Sequence, residues 1–324
     1  DIDFISNFTT SKFLRIHLPV SIIFFGFLYL FIPTFYSYDK SYIEDLICKN
    51  QNIKCEIRGK VNYNFYPTPR IKIRDLVIKG FEKKTFLTID KAEAKLSYKH
   101  LLVKDQFQFK KIKLNNYEIN FDLKNFKKYK NILKKEINLV PITFKKGQIV
   151  FYDGDNYVTS IDDANIKAKF IKGYVGFELK GKFLNDNIFV SWNSEKVDNQ
   201  EMTDIILKMS DLNLLAKVNL FDSKKHKKTT SGNILLKKNK SKLTAIFDYK
   251  DNELIINKSN LRNIFADGKL EGKITYLPYF NFNLDVNLSS LNFTSLYNYF
   301  LTLDKISRKN LFSINKKING KLNL

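Results

Sequence analysis

The sequence predicts a mainly β protein: one N-terminal transmembrane helix, then an extended antiparallel β-sheet with a few short helices. Three observations carry this. Aromatic residues make up 15% of the 324 positions, with 29 Phe and 17 Tyr, and such residues favour strands over helices. Segment after segment alternates apolar and polar residues, the period of a half-buried strand. A Gly followed by a strand also recurs, as in "RGKVNYNF", "KKGQIVFYDG", "LKGKFLNDN", "ADGKLEGKITY" and "INGKLNL". A sheet that grows by repetition explains that recurrence better than a closed, compact enzyme.

Residues 1–15 form a short N-terminal segment read as cytoplasmic, and residues 16–38 a transmembrane helix. From Ile16 to Tyr38 there is no charged side chain if His17 is neutral. The run is long enough to cross a hydrocarbon core of about 30 Å. Tyr29, Tyr36 and Tyr38 lie towards its far end, where aromatic rings prefer the interface, and Pro19 and Pro33 sit near the two ends. Lys12 and Arg15 precede the run, so the positive-inside rule puts the bulk of the chain on the other side. A cleaved signal peptide is the competing reading. The apolar run is longer than a typical h-region and no small-x-small site follows it, which favours a retained anchor.

Residues 39–56 read as a juxtamembrane helix and loop, with Tyr42, Ile43, Leu46 and Ile47 at helical spacing. This segment holds both cysteines, Cys48 and Cys55, close enough to form a possible disulfide in an oxidising compartment. The spacing leaves both states open, bonded or free.

Residues 57–123 form a first β region. Here "RIKIRDLVI" presents Ile71 and Ile73, then Leu76 and Ile78 after a phase change, and "YEINFDL" presents Tyr117, Ile119, Phe121 and Leu123. Residues 124–140, rich in Lys, read as a basic helix or a linker. A second β region spans 141–293. In it "SKLTAIFDY" presents Leu243, Ala245, Phe247 and Tyr249, and "DGDN" (153–156) and "ADGK" (266–269) read as turns. Residues 294–324 read as a helix, with Leu296, Tyr299, Phe300 and Leu303 at helical spacing, and then the start of a further strand. That end is expected to be a truncation, or an edge awaiting more strands.

The clearest single strand is "FNFNLDVNLSSLNF" (280–293). Phe280, Phe282, Leu284, Val286 and Leu288 share one face, and Asn281, Asn283, Asp285 and Asn287 the other. The apolar phase shifts after Ser289 and Ser290, which predicts a bulge or bend. An apolar strand face must be covered by the protein's own core, a partner, or a lipid.

The net charge of +22 invites a nucleic-acid reading. Only six of the 55 basic residues are Arg, however, and Arg is the side chain that forks onto phosphates and guanines. The Lys recur on the polar side of strand after strand. They favour attraction to an anionic membrane surface, with no nucleic acid as partner.

No catalytic, cofactor-binding or metal-binding set emerges. His17, His100 and His226 stand apart from one another and from any candidate nucleophile, and no G-x-S-x-G, phosphate-binding Gly loop or H-E-x-x-H is present. "DGDN" lacks the glutamate that closes a calcium loop. The expectation is a non-enzyme without cofactors.

The order of these segments resembles the AsmA-like family of bacterial envelope proteins. The resemblance rests on the single span followed by "IRGKVNYNFYPTPRIKIRDLVIKG" (57–80) and "IDKAEAKLSYKHLLVKDQFQFKKIKLNNYEINFDL" (89–123). It continues in "ITFKKGQIVFYDGDNYVTSIDDANIKAKF", "GFELKGKFLNDNIFVSW" and "LPYFNFNLDVNLSSLNFTSLYNYF" (277–300). The heavy Lys and Asn content and the short length depart from that family. The resemblance implies a curved, incompletely closed β-sheet groove with an apolar inside, kin to bridge-like lipid-transfer proteins. It further implies an inner-membrane protein, its bulk periplasmic, that moves phospholipid towards the outer membrane. Phe280, Phe282, Leu284, Val286 and Leu288 would then line the groove. A scaffold or modulator of outer-membrane protein assembly, with other envelope proteins as partners, is the alternative.

Overall fold

The computed structural model describes residues 12–48, 54–80, 84–99, 101–103, 107–125, 140–171, 173–197, 200–222, 229–250, 252–275, 280–306 and 318–323. The chain is mainly β and divides into two compact units, residues 1–165 and 166–324.

The first unit opens with helix α1 (Lys12–Phe31) and a single 3-10 turn, Ile32–Phe35, formed at Pro33. A proline has no N–H to continue the helical ladder, so the helix tightens and ends there. The stretch Leu18–Phe35 is long and apolar enough to span a membrane. Its apolar side chains point away from the protein, with Ile23 71% exposed. Helix α2 (Lys40–Cys48) follows, and the first strand starts at Lys54, three residues before the expected boundary.

Strands β1 (Lys54–Ile57) and β2 (Val61–Asn64) both pair with β3 (Arg70–Lys79). Then come β4 (Thr85–Leu96) and β5 (Phe109–Asp122), antiparallel to their predecessors, and β6 (Ile142–Asp153) and β7 (Asn156–Ile171). The β5–β6 pair is parallel, a departure from the purely antiparallel expectation. Parallel neighbours need a long connection, and residues 123–141 supply one. The helix or linker expected at 124–140 falls mostly on 126–139, outside the described residues. "DGDN" is the turn it promised, with Gly154 at φ 70° joining β6 to β7.

The phase change read between Ile73 and Leu76 is a backbone kink at Asp75, whose φ is 51°, with the β3–β4 register unchanged across it. It has counterparts at Asn116, Lys146 and Asp163, all with φ near 50°. Each spends one residue in the left-handed region and returns the following apolar side chains to the core side. The core that results is closed. Ile71, Ile73, Leu76, Ile89, Leu114 and Ala164 are all buried. Tyr117 is buried among them, donating its hydroxyl to the carbonyl of Ala164 at 3.0 Å and meeting Phe144 edge-on at 5.0 Å.

Burial pushes the Tyr117 phenol well above its usual range. A folded-state pKa raised above the unfolded value contributes stability that is complete below pH ~10 and declines as the pH rises beyond it. Alkaline titration should therefore loosen this unit above about pH 10, and Tyr117→Phe should flatten that slope. Identical alkaline profiles for the two chains, read by circular dichroism, would contradict the account.

The second unit is a meander: β8 (Tyr174–Phe183), β9 (Asp186–Val197), β10 (Gln200–Met209), β11 (Leu214–Asp222), β12 (Thr230–Lys238), β13 (Ser241–Lys250), β14 (Glu253–Arg262), β15 (Ala266–Thr275) and β16 (Phe280–Leu291). Each pairs antiparallel with the next. Asn185, Asn213, Asn239 and Asn252 occupy turns at positive φ, which Asn tolerates better than most residues. The chain closes with helix α3 (Phe293–Ile306) and β17 (Ile318–Asn323), which pairs parallel to β16 across a second long connection.

One expected turn is misplaced. "ADGK" lies inside β15, and the reversal precedes it at 263–265, where Asn263 N–H donates to the Ala266 carbonyl. Gly268 is there for close approach instead. A Cβ at that position would lie 2.4 Å from the carbonyl oxygen of Asn287. The bulge expected at Ser289–Ser290 is present, opposite the step between Asp267 and Gly268.

Candidate functional site

Directly paired residues of neighbouring strands lie on the same face of a sheet, so register decides whether apolar rows join up. In the second unit they do. Leu179 pairs with Val190, Val190 with Leu207, Leu207 with Ala216, and Ala216 with Leu236. The same row continues through Leu243 and Leu261 to Gly268 and Leu288. A second row runs Phe177, Trp192, Ile205, Val218, Ile234 and Ala245. Both rows start at β8. At about 4.8 Å per strand, the nine strands of the first make an apolar surface roughly 40 Å across.

The opposite face carries Lys180, Asp204, Lys217, Asn219, Asn233, Lys242, Lys269 and Asn283 at intervening register positions. It is tied by side-chain bonds such as Asn219 to Asp204, Ser231 to Asp248 at 2.6 Å and Asn257 to Asp248 at 2.6 Å. These two bonds hold the Asp248 carboxyl below the usual carboxylate range.

What separates the apolar face from an ordinary core is its openness. Leu179, Met209, Ala216, Ala245, Phe247 and Ile256 are buried. The others are half-buried, or exposed as Trp192 (43%) and Leu288 (37%) are. In the first unit the apolar positions of β3 and β4 are nearly all closed off, whereas Ile112, Ile119 and Phe121 on β5 and Ile142, Phe144 and Phe151 on β6 are half-buried. The second unit's face is half-buried or exposed along most of its rows, without a closed-off pair of strands like β3 and β4.

The residues singled out from sequence fall on this face. Phe282, Leu284 and Val286 are half-buried on β16, paired with Ile274, Gly272 and Leu270. Asn281, Asn283, Asp285 and Asn287 are exposed. Phe280 begins the strand in register with Ile318, and its side chain lies outside the described residues. The alternation in β8–β15, read at Leu243, Ala245 and Phe247 of β13, carries the same signal, but aligning the rows needs the register.

The cysteines lie in the segment that follows α1. Cys48 ends α2, and Cys55 lies on β1 and is disulfide-bonded. Among the described residues no group of three or more His, Cys, Asp or Glu could hold a metal ion. His100 and His226 lie outside the described residues, as does the side chain of His17.

Where α1 meets the loops between the first unit's strands lies a site that the sequence does not reveal. Tyr29 and Tyr36 were read as rings at a membrane interface, yet their hydroxyls clamp the loop after β4. Tyr29 donates to the Tyr98 carbonyl at 2.7 Å and Tyr36 to the Leu102 carbonyl at 2.8 Å. Phe65, from the turn after β2, packs edge-on against Phe27 (5.3 Å) and Phe31 (5.7 Å). No protein family, no curated protein and no solved structure matches this chain.

Proposed function

We propose that this chain is a non-enzymatic, membrane-anchored protein that handles phospholipid along the apolar face of its second unit. The observation that carries the reading is that face: nine strands of aligned apolar rows, most of their side chains still accessible. Burying acyl chain is worth ~0.8 kcal/mol per CH₂, so a long chain needs a nearly continuous apolar surface if it is to leave a bilayer without a large penalty. The aligned rows supply that continuity. The resemblance to AsmA-like envelope proteins supports the same reading. So does the basic N-terminal flank at Lys12 and Arg15, which favours a cytoplasmic N-terminus at the inner membrane and a periplasmic bulk. Transfer towards the outer membrane is the direction this implies.

Photocrosslinking residues at Phe282 and Val286 should capture phospholipid in cells, and one at Asn283, on the opposite face, should not. Protein adducts at Phe282 and Val286 in place of lipid would support the scaffold reading instead. Equal labelling of both faces would remove the argument altogether.

A further inference from the structure

The exposed apolar surface of α1 does not stop at the helix. Beyond Phe35 (75% exposed) at its end, the loops bonded to it and packed on it carry Tyr66 (78%), Leu102 (45%) and Val103 (45%), the exposed tips of two connections in the first unit. From this we infer that those tips sit inside the lipid leaflet and not above it. The inference rests on the reading of α1 as a membrane span and extends it to the β unit.

The depth follows from the hydrogen bonds. The apolar stretch Leu18–Phe35, at about 1.5 Å per residue, is close to the thickness of a hydrocarbon core, and it lies inside an uncharged run that extends from Ile16 to Tyr38, so Tyr29 falls within the span rather than at its edge. Lys12 and Arg15 resist being drawn in from the other end. Tyr29 lies six residues before the end of that stretch, roughly 9 Å deep by the same rise. Its hydroxyl is bonded to the Tyr98 carbonyl, and Phe65 packs still lower, against Phe27. If the span is in the membrane, these loops go in with it.

Irregular backbone at that depth has to be satisfied by protein, because no water is available. It is satisfied. The Tyr29 hydroxyl donates to the Tyr98 carbonyl and accepts from the Leu101 N–H at 3.3 Å. Tyr36 serves the Leu102 carbonyl. The Tyr63 hydroxyl donates to the Leu30 carbonyl at 2.9 Å, next to the point where the helix ends. Lys110, with its ammonium 5.8 Å from the Tyr98 ring, would reach up to headgroup phosphates. The occupant this surface fits is therefore the acyl and headgroup boundary of an anionic bilayer, and it puts the β-structure in contact with the lipid it would draw on.

The chain has a single tryptophan, so Trp192→Phe gives a silent background. In it, Leu102→Trp, Val103→Trp and Tyr66→Trp would each report depth, with Phe25→Trp as the reporter for the span. The full chain is reconstituted into vesicles of phosphatidylethanolamine and phosphatidylglycerol carrying brominated acyl chains. The loop reporters are expected to lose most of their emission to bromines near the headgroup end and to resist iodide, as Phe25→Trp does with deeper bromines. A quenched Phe25→Trp beside loop reporters open to iodide overturns the inference and leaves the span intact. If Phe25→Trp is also open to iodide, both fall. All three loop positions are exposed, so loss of fold at one leaves two others to decide.

Discussion

Gly147→Ala destabilises the first unit by about 2–6 kcal/mol, a large effect for a single methyl group. Gly147 lies on β6, and its φ is in the range any residue adopts, so backbone freedom is not the reason for glycine here. A Cβ would lie 2.3 Å from two carbons of the Tyr117 ring. That ring cannot step aside: it is buried, meets Phe144 edge-on, and its hydroxyl is bonded to the Ala164 carbonyl. Overpacking a core costs about 1–3 kcal/mol. An orphaned buried hydroxyl adds about 1–3 kcal/mol more. Urea titration followed by limited proteolysis of the first unit should show the loss, while Trp192 fluorescence reports the second unit separately. The double variant Gly147→Ala with Tyr117→Ala should be less destabilised than the sum of the two single variants, since the methyl then fills some of the space the ring has left. A Gly147→Ala chain as stable as the parent would mean that the ring moves freely and that the first unit's core is less tightly packed than its burial implies.

Legibility followed the range of the interaction. Alternation is a property of neighbours in sequence, so the wet and apolar faces of residues 280–288 could be read directly, and so could the slip at Asp75, because Ile73 and Leu76 are out of phase. The matching slip at Asn116 is written in the same way, with Leu114 and Tyr117 out of phase. "ADGK" misled because Asp-Gly signals a turn and also permits close approach within a strand; only the Asn287 carbonyl against Gly268 separates the two. The parallel pairs β5–β6 and β16–β17 depend on partners brought together by long connections, which no local pattern encodes. The contrast between a closed and an open apolar face is likewise invisible locally. Ile71 and Ile234 sit in similar alternating strings, yet one is fully buried and the other half-exposed. Tyr29 shows the same limit, since its position suggested an interface but nothing in the string pointed to Tyr98.

The openness of that face makes Ile234→Asp the most direct test of what it does. Ile234 is central, on β12, paired with Val218 on one side and Ala245 on the other. It is half-buried, so a carboxylate there keeps access to water and the sheet should stand. An acyl chain crossing the same spot has no such escape. If two or three CH₂ groups lose their apolar contact, the loss is about 2 kcal/mol, which corresponds to roughly a 30-fold weaker hold on lipid. Asn233→Asp places the same charge one residue away on the opposite face, where Lys217 and Asn219 already lie, and lipid recovery should be unchanged. Phospholipid co-purifying with each chain, measured by mass spectrometry against protein, reads the difference. Equal lipid in the Ile234→Asp and Asn233→Asp chains would mean that the apolar rows are not the lipid path, whatever else covers them. Loss of lipid in Ile234→Asp alone, with circular dichroism unchanged, would tie the cargo to one face of one unit, because both substitutions place a carboxylate on β12, one residue apart and on opposite faces.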